Sequence, residues 1–259
     1  MDENQLKLFF LELVSLAKVV SLRGFRRDTQ VMNKADGNQF DPVTRIDKDL
    51  ETLLIENISA KFPEHGIWGE EYGVRKGSSK WTWIIDPIDG TRSYISGLPT
   101  WGTLIGLLYE GKPCFGVMSQ PFVGDCFFGS NKGSVLIRPE EERPLSVRDY
   151  RQLAESTLCS TTPDMFTSDQ EISGFNRLSK KVNLVRFGAD SYGYCLLAAG
   201  CIDLVVEANL EFYDIAPLIP IIENAGGFVS DWSGAPVRSG GRVVAASSKR
   251  LAEEALQLL

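Results

Sequence analysis

Two segments in the first part of the chain have the spacing of amphipathic helices. Apolar residues recur every three or four positions between Leu6 and Val20, which predicts a helix. The same spacing from Ile46 to Ile58 predicts a second helix that ends near Phe62 and Pro63. Residues 28–41 between them are polar and rich in turn residues, which makes them a candidate mobile loop.

Strand patterns dominate the next part of the chain. The aromatic and β-branched run Trp81–Ile85 predicts a strand, and we expect Pro87 to end it, which places Asp86 at its carboxyl end. Further strand-like runs follow without a helical pattern between them, at residues 103–109, 114–119, 126–129 and 135–138. Consecutive strands of this kind predict an antiparallel sheet.

Strands and helices alternate after a Ser/Thr-rich break at residues 160–162. The predicted strands are 182–187, 202–207 and 243–246, and the predicted helices are 191–199, 214–225 and 249–258. Alternation of this kind is typical of α/β proteins. We therefore predict an N-terminal α+β lobe, residues 1–145, packed against a C-terminal α/β lobe, residues 146–259, in one compact unit.

Composition argues against several classes of protein, including nucleic-acid-binding and membrane-spanning proteins. The 259 residues are 43% hydrophobic, enough for a large core, and the net charge of −7 argues against binding nucleic acid. No apolar run is long enough for a membrane span, and the polar start MDENQLK does not resemble a secretion signal, so we expect a cytoplasmic protein without membrane contact. A single histidine, His65, leaves carboxylates, hydroxyls and backbone groups for catalysis.

The segment Asp86-Pro87-Ile88-Asp89-Gly90-Thr91 is the strongest chemical signal. Two carboxylates three positions apart can converge on one space, where a bridging cation offsets their repulsion, and oxygen ligands suit Mg²⁺. Gly90 allows a close backbone approach, and Thr91 would open a short helix whose N–H groups face an anion. A plain surface turn explains the same residues equally well.

Further acidic residues lie in comparable contexts. Glu70 follows Gly69, Asp47 follows Thr44 at the start of a predicted helix, and Asp214 opens another. Each has a structural explanation of its own, as a helix cap or a solvated loop. Their combination and order, from about Asp41 to Gly227, resemble the Mg²⁺-dependent inositol monophosphatase family.

This resemblance implies a layered α-β-α-β-α sandwich with the active site between the lobes. It also implies a homodimer and a site with two or three Mg²⁺ ions. Glu70, Asp86 and the Ile88 carbonyl would hold one ion. Asp86, Asp89 and Asp214 would hold a second, and Glu70 would also reach a weaker third.

The resemblance assigns catalytic roles as well. Asp47, Thr91 and Glu70 would act on the attacking water, with Thr91 hydrogen-bonded to Asp47. The Gly90 and Thr91 amides would hold the phosphate. The implied activity is hydrolysis of a small phosphate monoester without a covalent intermediate.

Two further acidic residues bear on the substrate. Segments 188–192 and 206–210 are similar to the histidinol-phosphate phosphatase branch of the family. Asp190 beside Glu207 would favour a cationic alcohol such as histidinol, which would place the protein in histidine biosynthesis. Asp190 could instead cap the following helix, and inositol-1-phosphate is the alternative substrate. The expected substrate contacts are Asp89, Gly90, Thr91, Asp190, Glu207 and Asp214.

Overall fold

The computed structural model describes residues 2–27, 31–33 and 42–259, with no side-chain detail for residues 42 and 43. Most of the candidate mobile loop, residues 28–41, lies outside the described residues, so its mobility stays a prediction. The helices are α1 (Glu3–Gly24), α2 (Arg45–Lys61), α3 (Thr91–Ile95), α4 (Asp169–Ser179), α5 (Asp190–Ala198), α6 (Phe212–Ile215), α7 (Leu218–Glu223) and α8 (Lys249–Leu256). The strands are β1 (Val31–Asn33), β2 (Pro42–Thr44), β3 (Gly66–Gly69), β4 (Gly73–Arg75), β5 (Trp81–Asp89), β6 (Gly102–Tyr109), β7 (Lys112–Gln120), β8 (Asp125–Ser130), β9 (Gly133–Arg138), β10 (Glu141–Pro144), β11 (Thr157–Ser160), β12 (Leu184–Phe187), β13 (Leu204–Leu210), β14 (Phe228–Asp231) and β15 (Gly241–Ala246).

The structure confirms the two N-terminal helices that the hydrophobic periodicity predicts. On α2, the apolar residues Leu50, Leu54 and Ile58 form the buried stripe. Its first turn is closed by a capping box between Thr44 and Asp47, which satisfies backbone N–H groups that a helix start leaves free. The helix ends at Lys61 because Pro63 cannot continue it.

An eight-stranded sheet occupies the N-terminal half, in the order β10-β9-β8-β7-β6-β5-β3-β4. Its neighbours are antiparallel except β3 and β5, which run parallel. The prediction that Pro87 ends β5 was wrong, because pairing resumes at Asp89 opposite Gly102. Three steps along β5, from Asp86 to Asp89, oppose two along β6, from Leu104 to Gly102, so the strand bulges around Pro87.

A five-stranded mixed sheet, in the order β12-β11-β13-β15-β14, occupies the C-terminal half. Here β11 is parallel to both of its neighbours, and the β13, β14 and β15 pairs are antiparallel. In this half of the chain, the sequence prediction missed β11, β14 and α4. For α4 a signal was present, since Ser168 and Glu171 have capping-box spacing and form that box in the structure.

The predicted helix over residues 214–225 is two short helices. The helix α6 ends at Ile215, and α7 begins at Leu218 after Pro217. A proline ring blocks the carbonyl four residues earlier and supplies no N–H, so a continuous helix through Pro217 would be strained. As a result Asp214 lies within a separate single turn rather than at the start of a long helix.

The elements stack in five layers. The α1/α2 pair covers one face of the large sheet, and α5 and α7 fill the space between the two sheets. The helices α4 and α8 pack on the outer face of the small sheet. One core cluster joins residues from both sides of position 145, such as Leu104 and Ile221. Across the described ranges, no helix is both long and apolar enough to cross a membrane.

Candidate active site

The bulge in β5 explains how Asp86 and Asp89 come together. Residues three apart on a regular strand point to opposite faces of the sheet, and the extra residue of the bulge turns both carboxylates to one side. The hydroxyl of Thr103 donates to the Pro87 carbonyl at 2.8 Å, which satisfies a backbone group inside the bulge. The bulge therefore brings the carboxylates of Asp86 and Asp89 to the same side of the strand.

Asp214 completes a cluster of three carboxylates. Its Oδ2 accepts the N–H of Glu211 at 2.8 Å, so the first turn of α6 fixes its position. Ligand oxygens of Asp86, Asp89 and Asp214 lie within 4.8 Å of one another. The structure thus unites three of the sequence-predicted metal ligands from two distant segments of the chain.

The electrostatics of this cluster favour a cation. Asp86 is 2% exposed, and its buried Oδ1 has no hydrogen-bond partner among the described residues. Burial raises the pKa of Asp86 well above its usual range, and the neighbouring carboxylates raise it further. Burial, reinforced by Asp190, raises the pKa of Asp89 to about 7. A set of carboxylate oxygens held this close together fits Mg²⁺.

Glu70 and Ile88 lie in the same cleft. Glu70 follows β3, and its N–H donates to the Ile85 carbonyl at 3.1 Å, which holds it beside β5. Its side chain lies close enough to Asp86 to raise the pKa of Asp86. Both Glu70 and Ile88 line the cleft, which has a cavity volume of about 220 Å³. The two remaining predicted metal ligands are therefore next to the carboxylate cluster.

The predicted hydrogen bond between Thr91 and Asp47 is absent. The hydroxyl of Thr91 donates to the Ile88 carbonyl at 3.0 Å, three residues back in the same turn. Oδ2 of Asp47 accepts the N–H and the hydroxyl of Thr44, at 2.8 and 2.5 Å. Oδ1 of Asp47 is buried and has no partner within the described ranges. The Thr91 and Asp47 side chains are therefore each hydrogen-bonded within their own turn and not to each other.

Gly90 lies between the carboxylate cluster and Asp190 in the cleft. Its φ of +76° is a left-handed conformation that glycine adopts without strain. A Cβ at this position would lie 2.7 Å from Cγ of Asp190. The backbone turn that precedes α3 therefore packs directly against the Asp190 side chain.

Asp190 does not cap α5. Its side chain accepts the hydroxyls of Ser93 at 2.6 Å and Thr100 at 3.2 Å, both in the N-terminal half. The cap of α5 comes instead from Asp89, whose Oδ2 accepts the N–H of Ser191 at 2.8 Å. The capping explanation for Asp190 was wrong, because its side chain is hydrogen-bonded to Ser93 and Thr100 rather than to the N–H groups of its own helix.

Glu207 is a further acidic residue that lines the cleft near Asp190. It is 3% exposed, and it accepts the Thr161 N–H at 2.8 Å and the Tyr194 hydroxyl at 2.9 Å. Burial raises the pKa of Glu207 to about 7. The two hydrogen bonds fix the orientation of this carboxylate in the wall of the cleft.

The cleft is strongly acidic. Six carboxylates line it, from Glu70, Asp86, Asp89, Asp190, Glu207 and Asp214. Among the described lining residues, Arg92 is the one basic side chain. A site with this balance attracts cations and can hold an anionic phosphate only together with bound metal.

Sequence reasoning missed several residues that shape the site. They are Glu51, Arg92, Thr100 and Tyr194. Only Glu51 left a readable signal, because it is an acidic residue next to the buried stripe of α2 and one helical turn after Asp47. The others come close to the site only through tertiary folding.

Comparison with known proteins agrees with this geometry. A model of the Inositol monophosphatase family matches residues 3–259. The chain is 37% identical over 246 residues to the Bifunctional phosphatase IMPL2, chloroplastic, of Arabidopsis thaliana, which covers 91% of this chain and 69% of that protein. It is 35% identical over 225 residues to the Histidinol-phosphatase of Chlorobaculum parvum, with 86% and 85% covered.

A solved structure extends the likeness to three dimensions. An inositol monophosphatase from Zymomonas mobilis superimposes with a TM-score of 0.87 at 32% identity, covering 100% of this chain and 99% of that one. The layered α/β architecture expected from the sequence is therefore confirmed.

Proposed function

This chain belongs to the inositol monophosphatase family, and we propose that it is a Mg²⁺-dependent phosphatase that hydrolyses L-histidinol phosphate to L-histidinol and phosphate. The phosphatase class follows from family membership. The choice of substrate is supported chiefly by one observation, the Asp190 side chain that faces the cleft close to Glu207.

The metal-binding part of the proposal uses the carboxylate cluster. Glu70, Asp86 and the Ile88 carbonyl would hold one Mg²⁺, and Asp86 would share a second with Asp89 and Asp214. Glu70 would also reach a weaker third ion. Bound Mg²⁺ would polarise the phosphate and lower the pKa of a coordinated water.

The remaining groups of the site act on water and phosphate. Thr91 would orient the attacking water with Asp47, next to Glu70. In this structure the Thr91 hydroxyl donates to the Ile88 carbonyl, a group that would itself bind metal. We propose that the Thr91 hydroxyl leaves the Ile88 carbonyl and donates instead to Oδ1 of Asp47, which has no partner among the residues that the structure describes. The Gly90 and Thr91 amides would contact the phosphate oxygens.

Charge balance favours a cationic alcohol. Two Mg²⁺ ions would neutralise the four carboxylates that bind them, which leaves Asp190 and Glu207 on the substrate side. Arg92 lies close enough to Asp190 to lower its pKa, although burial has the larger, opposite effect. Histidinol carries an ammonium group and an imidazole, both of which can pair with buried carboxylates.

Inositol-1-phosphate is the second candidate. The Zymomonas mobilis protein that matches this chain end to end is called an inositol monophosphatase. Glu207, held by Thr161 and Tyr194, could accept hydroxyl groups of a neutral polyol as well as an ammonium group. A cytoplasmic location, a homodimer, and the absence of nucleic-acid or membrane partners stay predictions.

Phosphate release from the two esters, measured side by side with Mg²⁺ and again with EDTA, tests the proposal. We expect a higher kcat/KM for histidinol phosphate and loss of activity toward both esters in EDTA. A preference for inositol-1-phosphate would retain the metal chemistry and overturn the substrate assignment. Undiminished release in EDTA would overturn the metal-dependent mechanism.

A further inference from the structure

Glu51 is a buried carboxylate at the centre of α2, outside the cleft lining. Its side chain is fully buried, at 0% exposure. Its two oxygens accept backbone N–H groups of consecutive residues, Oε2 from Glu71 at 2.8 Å and Oε1 from Tyr72 at 3.0 Å. Both donors belong to the turn that immediately follows Glu70.

The backbone before Glu70 also contacts this carboxylate. A Cβ added to Gly69 would lie 1.9 Å from Oε1 of Glu51, so the close approach requires glycine at this position. Next to Glu51 on α2, the Thr52 hydroxyl donates to the Tyr72 hydroxyl at 3.2 Å. The helix therefore holds both sides of the segment that carries Glu70.

A buried carboxylate is costly when its hydrogen bonds are unsatisfied. Glu51 satisfies both oxygens with backbone N–H groups of one turn, and no ion pair to Glu51 is found within the described ranges. An apolar side chain at this core position would avoid the cost of burying the charge but could not bind the two amides. The carboxylate is thus suited to fixing the path of that turn.

We propose that Glu51 is a positioning residue for the metal ligand Glu70, and that it sets the Mg²⁺ affinity of the site by anchoring the Glu71 and Tyr72 amides. This inference rests on the proposed metal-dependent function. The same helix carries Asp47 one turn earlier. Through Glu51 and Asp47, α2 therefore holds the Glu70 turn and the partner proposed for Thr91 in a fixed relationship.

Direct Mg²⁺ titration of the substrate-free, folded protein by calorimetry is the primary test. We expect Glu51→Ala to weaken Mg²⁺ binding about tenfold, as is common when a residue that supports a metal ligand is removed. Glu51→Gln keeps an acceptor for one amide and turns its NH₂ group toward the other, so it should weaken binding by a smaller factor.

Leu54→Ala is the matched control, because Leu54 lies on the same helix, is equally buried, and belongs to the hydrophobic core. It should lower the melting temperature and leave the Mg²⁺ dissociation constant within about twofold of the wild type. If Glu51→Ala does not fold, Glu51→Gln supplies the comparison.

Two results would overturn the inference. One is unchanged Mg²⁺ affinity in the Glu51 variants, and the other is an equal loss of affinity in Leu54→Ala. In both cases the wild-type protein still binds Mg²⁺ and releases phosphate, so the proposed function survives. A wild-type protein that binds no Mg²⁺ would overturn the proposed function and this inference with it.

Discussion

The Asp89 side chain accepts, at Oδ2, a 2.8 Å hydrogen bond from the backbone N–H of Ser191. Asp89 lies in the β5 bulge, and Ser191 lies in the first turn of α5, 102 residues further along the chain. The residue before that helix, Ala189, provides no side-chain cap. A carboxylate from the acidic cluster of one half therefore caps a helix of the other half.

Asp89 contributes both a negative charge to the acidic cluster and a cap to α5, and two substitutions distinguish these roles. Asp89→Asn removes the charge and keeps an oxygen that can accept the Ser191 N–H, whereas Asp89→Ala removes both. We expect Asp89→Ala to have a free energy of unfolding about 1 kcal/mol lower than that of Asp89→Asn, the usual cost of a lost cap. Urea unfolding without metal measures the difference. Equal stabilities would show that the contact does not cap α5, and both variants should lose phosphatase activity.

Alanine substitution of Gly90 tests its packing against Asp190, and the same substitution of Gly111 is the matched control. Their φ angles are +76° and +77°, but only Gly90 would place a Cβ against another residue, Asp190. Gly111→Ala should cost about 1 kcal/mol through backbone strain alone. Gly90→Ala should cost about 1–3 kcal/mol more and reduce kcat/KM, as measured by thermal unfolding and phosphate release. Similar losses in both variants would contradict the tight packing.

Asp190 gives the sharpest test of substrate choice. Asp190→Asn keeps an acceptor for the Ser93 hydroxyl and removes the charge, so kcat/KM for histidinol phosphate should fall about 10- to 100-fold. For the neutral inositol-1-phosphate we expect a change of about threefold or less. Ser93→Ala, which leaves the charge in place, should have a smaller effect on histidinol phosphate. Equal losses on both esters would make Asp190 a structural residue.

The raised pKa of Glu207 predicts a pH dependence of stability. Burial moves this pKa from 4.5 to about 7, so between these values the folded protein binds a proton that the unfolded chain has released. The stability contributed by this group is therefore fully present at and below pH 4.5 and is lost as the pH rises from 4.5 to about 7, by a total on the order of 3 kcal/mol.

Glu207→Gln should remove this pH dependence. Relative to the wild type, the variant should gain stability as the pH rises from 5 to 8, and urea unfolding at several pH values measures that gain. Glu253→Gln, at an exposed position of α8, is the control and should change stability by less than about 0.5 kcal/mol throughout. A Glu207→Gln difference that stays constant with pH would contradict the raised pKa.

The sequence by itself determined those helices and strands whose hydrophobic pattern is complete within a few consecutive residues. The apolar spacing predicted α1 and α2, and the β-branched run predicted β5, because helix and strand periodicities reflect which face is buried. Oxygen-ligand chemistry and family resemblance pointed to Asp86, Asp89 and Asp214, which the structure brings together. Asp86 and Asp89 stand out in the sequence because they lie three positions apart in one turn-like segment.

Only the tertiary structure decided which of these side chains contact one another and in what orientation. The bulge that turns Asp86 and Asp89 to one side depends on pairing with β6, which no local pattern of β5 reveals. The Asp190 side chain lies against Ser93, 97 positions away, instead of capping its own helix. Such contacts join groups far apart in the chain, and their energies depend on burial and on partners that exist only once both halves have packed together.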